Sequence, residues 1–172
     1  MRRKWIWATV LALIGVAVYA GSVLATQSQG FSSTTLAKAT FGEIDSHVVA
    51  EPGWQEKIKT HGDSDLYVQQ NTWDPGACGG CIPSSGWHTH PGPSLVIVTQ
   101  GTVTEYDGDD PTCTPHVYSA NGTNAFIDIG GGAVHIIRDE SGAAAKTVVV
   151  QLIPKDATRR IDVTPAPGNC PF

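Results

Sequence analysis

The chain has 172 residues, 41% of them hydrophobic and 16% charged, with 19 glycines and 11 prolines. That length suits one domain with a core of its own, and the glycine and proline content favours short elements joined by turns over long helices. A formal charge of −5 argues against nucleic acid as a partner, because phosphate recognition needs a basic face.

Residues 1–25 differ from the rest. Arg2, Arg3 and Lys4 precede an uncharged run from Trp5 to Ala25 that ends in Val23-Leu24-Ala25. A basic start, an apolar stretch and small residues at its end describe a secretory signal peptide cut after Ala25. The rival is an uncleaved anchor, since such a run can cross a hydrocarbon core about 30 Å thick. Either way the protein is expected to be secreted or held at the cell surface, touching membrane only through this segment. Losing the three basic residues takes the charge from −5 to −8.

Residues 26–40, TQSQGFSSTTLAKAT, are small and polar and suggest a flexible linker. The domain itself is expected over 41–172. A short helix is expected near 53–60. Beyond it, strand-like runs are separated by turn residues: 65–73, 94–100, 102–107, 116–120, 125–129, 133–139 and 146–154. Asn121-Gly122 and the run Gly130-Gly131-Gly132 mark turns. The proline-rich tail 157–172 is expected to lie across the surface. The fold class is all-β, a small antiparallel barrel.

Cys78, Cys81, Cys113 and Cys170 all fall in the exported part. An even count in an oxidising compartment reads as two disulfides, with three connectivities open. The flanks of CGGC at 78–81 are loop-like, whereas a redox pair opens a helix. Cys78 and Cys81 are close enough to pair locally, so the simplest arrangement is Cys78–Cys81 with Cys113–Cys170.

Six histidines are present. In a strand, residues two apart share a face, so His88 and His90 of GWHTHPGPSLVIVTQG are placed to share one ion. His135, in GGGAVHIIRD, sits in another strand-like run and is the best third ligand. His47, His61 and His116 stand in polar or loop contexts and are read as surface residues. Trp87 points away from His88 and is read as packing.

These motifs resemble those of the cupin superfamily. His88, His90 and Gly101 match its first motif, and Gly132 and His135 its second. Leu95, with Ser94 beside it, stands where the family carries a glutamate; Gly130 replaces its proline and Asp139 its asparagine. The resemblance covers residues 62–155 and implies a jelly-roll-like double-stranded β-helix with His88, His90 and His135 facing inward around a divalent metal: Fe, Zn, Mn, Ni or Cu. Glu105 and Asp128 are both candidates for a substitute carboxylate. The implied function is an exported metal-binding cupin, either a small-molecule metalloenzyme of oxygenase type or a binder of a small ligand or metal. The remaining alternative is a structural barrel without metal. A homodimer is left open.

The leader generates the first prediction. N-terminal sequencing of the exported protein should find a start near Thr26, and recovery of an intact 1–25 segment in the membrane fraction would favour the anchor.

Overall fold

The computed structural model describes residues 27–172; the expected leader over 1–25 lies outside the described residues. Twelve strands form in chain order: β1 (Phe31–Phe41), β2 (Asp45–Ala50), β3 (Trp54–Lys59), β4 (Ser64–Trp73), β5 (His88–Thr89), β6 (Ser94–Gln100), β7 (Thr102–Asp107), β8 (His116–Ser119), β9 (Ala125–Asp128), β10 (His135–Arg138), β11 (Ala145–Pro154) and β12 (Ile161–Asp162). Two five-stranded sheets run β1-β4-β11-β6-β9 and β12-β5-β10-β7-β8, and β2 with β3 makes a separate hairpin. Every pairing is antiparallel. The all-β expectation holds.

The strands follow their side-chain period. Along β11, Ala145, Thr147, Val149, Gln151 and Ile153 are buried and alternate with partly exposed residues, the pattern of a sheet with one covered face. Inner-face residues Trp73, Val98, Val103, Ile137 and Ala145 make one core, joined by Phe31, Tyr118 and Phe126. A second cluster of Trp87, Tyr106, Ile136 and Cys170 is packed by Cys113, Val134, Val163 and Ala166. The C-terminal tail therefore covers the back of the second sheet, and Trp87 is packing, as its position beside His88 implies.

Two expectations meet a different structure. Residues 31–40 of the stretch read as a linker form, together with Phe41, the edge strand β1, paired along its length with β4. Its serines, threonines and Lys38 suit an edge whose outer side meets water, and two contacts hold it: Phe31 lies 5.1 Å from Trp73 and Lys38 bridges Asp65 at 2.9 Å. The helix expected near 53–60 is instead β3. Its residues, WQEKIK, are acceptable in a helix, but Gly53 turns the chain at a φ of 97° and each β3 residue then pairs with β2. Cross-strand pairing outweighs a weak helical preference.

The disulfides are Cys78–Cys81 and Cys113–Cys170, with no free cysteine among the described residues. They fit an oxidising, extracytoplasmic setting. Among the described residues no helix is long and apolar enough to cross a membrane.

The unequal loops predict unequal effects. Cys113 and Cys170 are 57 positions apart and Cys78 and Cys81 only three, so chain entropy assigns about 4 kcal/mol to the long bridge and about 2 to the short one. Cys113→Ser should lower the melting temperature by on the order of 10 °C and Cys78→Ser by about half of that. Equal losses in a calorimetric scan would contradict this.

Candidate metal site

β5 is only two residues long, yet it lies between β10 and β12. Its pairing sets His88 directly across from His135. His90 follows after Thr89, at the start of the Pro91-Gly92-Pro93 turn. Ring centroids are 4.3 Å apart for His88 and His135, 4.8 Å for His88 and His90, and 5.4 Å for His90 and His135. One ring nitrogen from each lies within 4.8 Å of the others, the only such cluster of potential metal ligands among the described residues. His116 lies apart, its Nε2 3.6 Å from Asp107.

The rings are held by backbone. His88 Nδ1 donates to the Gly86 carbonyl at 2.8 Å, and His90 Nδ1 to the Arg159 carbonyl at 2.7 Å. A carbonyl only accepts, so each Nδ1 carries the proton and each Nε2 keeps its lone pair. The carbonyl of Ala133 hydrogen-bonds the His135 ring. All three side chains are nearly sealed from solvent.

Burial decides their charge. It holds His88 well below the ordinary histidine value, with His135 and Arg160 adding repulsion, and it lowers His90. It pushes His135 down to about 4, against the pull of the Asp128 carboxylate. The three imidazoles are thus neutral at pH 7, the state in which they bind metal.

The strand alternation corrects one position in the motif. On β6 Ser94 is buried while Leu95 is 57% exposed, so the inward residue is Ser94. Its cross-strand partner is Asp128 on β9. Ser94 Oγ donates to Asp128 Oδ2 at 3.4 Å and accepts from Gln151 Nε2 at 3.1 Å. Asp128 Oδ2 stands 3.8 Å from His90 Nε2 and its Oδ1 3.8 Å from His135 Nδ1, and Oδ1 also takes the Gly130 N–H at 2.9 Å. Of the two candidate carboxylates, Asp128 borders the histidines; Glu105 lines a neighbouring pocket. Gly130, where the family has proline, packs so tightly that a Cβ would run into the Gly92 backbone, and its φ of 66° suits glycine.

A cavity of about 40 Å³ opens beside the triad, room for about three waters. Asn71 and Gln151 line it, and Asn71 Oδ1 and Gln151 Oε1 are buried with no hydrogen-bond partner. Arg159, on the segment before β12, closes one side and donates from Nη1 to Gln69 at 2.7 Å. Neither Arg159 nor this amide wall carries a local signal in the sequence, because both enter through long-range packing.

No protein-family model matches the chain, and no curated protein matches its sequence. Solved structures do match in fold. A polyketide cyclase from Streptomyces resistomycificus is 12% identical, with 83% of this chain and 79% of that chain covered, at a TM-score of 0.50. A cupin superfamily protein from Desulfitobacterium hafniense is 12% identical over 76% of this chain and 84% of that one, at 0.44. A conserved protein of unknown function from Streptococcus pyogenes is 14% identical over 77% and 81%, at 0.43. The fold is a cupin-like jelly roll.

Buried neutral histidines predict acid sensitivity. Below about 6.5 the unfolded chain binds protons that the native His135 refuses until about 4. Chelator-treated protein should therefore lose stability as pH falls through that window, by a few kcal/mol, and His135→Gln should flatten the slope. Urea midpoints followed by tryptophan fluorescence measure it; a pH dependence over this window that His135→Gln leaves unchanged contradicts the burial argument.

Proposed function

We propose that the protein is an exported metalloprotein that holds one divalent ion through His88, His90 and His135 and receives a small polar molecule in the adjoining cavity. The observation that carries this is the convergence of three buried, neutral imidazoles, two with Nδ1 tied to a carbonyl and Nε2 left as a donor. An ion would take the Nε2 lone pairs that the Gly86 and Arg159 carbonyls leave free on His88 and His90. The donor set suits Fe, Zn, Mn, Ni or Cu. Donors bound at about 2.1 Å to one ion stand at most about 4.2 Å apart, so small ring movements close a set now within 4.8 Å.

Asp128 is the carboxylate next to this set, offering the negative charge that three imidazoles lack. Its chain through Ser94 to Gln151 orients it and links it to the cavity wall. The free acceptors of Asn71 and Gln151 suit a ligand with hydroxyl or N–H donors. An ion there supplies Lewis acidity toward such a ligand. An enzyme acting on small polar molecules fits this wall better than a purely structural barrel, which would gain nothing from amides without partners.

Metal analysis of untagged protein, with melting curves before and after chelation, tests the site. Bound metal should raise the melting temperature and chelator should remove the gain. His88→Ala, His90→Ala and His135→Ala should each abolish the chelator-sensitive part, while His61→Ala and His116→Ala leave it intact. Native protein with negligible metal, unresponsive to added metal, would overturn the reading. Oxygen uptake or turnover with small hydroxylated or thiol substrates then separates an enzyme from a binder.

A further inference from the structure

On the other side of Asp128 and His135 lies a second, larger pocket of about 380 Å³, within the size range of small-molecule sites. Four carboxyl groups face it, from Glu105, Asp107, Asp109 and Asp128, and no lysine or arginine lines it. Glu105 sits on the inner face of β7, between Ile137 of β10 and His116 of β8. It is only 8% exposed, and among the described residues no hydrogen bond or ion pair reaches its carboxyl. Of the other buried carboxylates, Asp65 is answered by Lys38 and Thr40 and Asp128 by Ser94 and Gly130, while Asp139 is answered by Ser141 at one oxygen only and does not line this pocket.

From this buried, unanswered carboxyl in a pocket lined by no lysine or arginine, with His116 turned to Asp107 instead, we infer that the pocket is a binding site for a small organic ammonium ion. A metal ion is the poorer occupant, because these carboxylates do not converge as the three histidines do. The rest of the lining points to an occupant with a carbon body. Ile127 and Ile129, 54% and 71% exposed, and Tyr118 form a partly apolar wall beside the acidic floor. An ammonium group would donate to Glu105 while its apolar portion covered the isoleucines. Burial, with Asp107 and Asp128 adding to it, pushes Glu105 up to about 8, and a cation beside it would draw that value back down. Since Asp128 and His135 belong to both this pocket and the metal site, the occupant would lie next to the metal site. The inference does not require metal.

The test is titration of the mature protein near pH 8 with 2-phenylethylammonium, 2-phenylethanol and 3-phenylpropionate, followed by calorimetry and chemical shifts. The three probes share an aromatic body and differ in charge. The ammonium should bind, the alcohol should bind about tenfold more weakly or worse, and the carboxylate should not bind; added salt should weaken the ammonium. Glu105→Gln should weaken ammonium binding about tenfold and leave the alcohol unchanged. Asp107→Asn, at a half-exposed rim position, should weaken it by a smaller factor and serves if the Glu105 variant does not fold. Chelator-treated protein should bind the ammonium as untreated protein does. Equal affinity for ammonium and alcohol, no ammonium binding, or indifference to both substitutions would overturn the inference. So would loss of binding with the metal, which would assign the signal to an amine at the histidine site.

Discussion

The pairing of β5 with β10 is the constraint on which the site depends. It is one residue pair long, His88 opposite His135, and it brings together two imidazoles that lie 47 positions apart in the chain. A strand of two residues has little pairing of its own to keep it in place. β5 stays because β12 covers its outer edge, with Ile161 against Thr89 and Asp162 against His88. The tail that supplies β12 is in turn fastened through Cys170 to Cys113. A disulfide on the back of the sheet thus helps to hold a histidine on its front.

The same tail closes the site chemically. Arg159 presents its carbonyl to His90, and Arg160 donates to the Ser85 carbonyl just before β5. Packing and polar order therefore come from one segment. A proline-rich stretch with little regular structure orients an imidazole, seals the cavity and covers Trp87 and Ile136.

Two pockets of opposite character meet at Asp128 and His135. One carries amides and two arginines near the imidazoles; the other carries carboxylates and isoleucines. Their shared wall is β9 and the start of β10, shaped by the close contact of Gly130 with Gly92. A bulkier residue at Gly130 would push the two loops apart and move Asp128, whose carboxylate is tied to the Gly130 N–H, whereas one at Gly92 would run into the backbone of Leu152 on β11.

Much of the fold was legible in the sequence because it rests on local pattern. The alternation in 94–100, 102–107 and 146–154 specifies strands through their two-residue period, and β6, β7 and β11 fall there. The same period puts His88 and His90 on one face, and an even cysteine count behind a leader-like segment implies two bridges. Edge pairing and register had no such signal. SSTTLAKAT has the composition of a linker and becomes β1 only because β4 offers an open edge, while WQEKIK becomes a strand because β2 pairs with it. Whether Ser94 or Leu95 faces the histidines differs by a single residue of register, which reverses every side chain on β6. Sequence alone determined which residues could serve as ligands. Tertiary structure decided that Asp128 rather than Glu105 borders them, that a carbonyl of Arg159 orients His90, and that Glu105 is left buried without a partner, because those contacts join strands far apart in the chain and form only when the sheets close on one another.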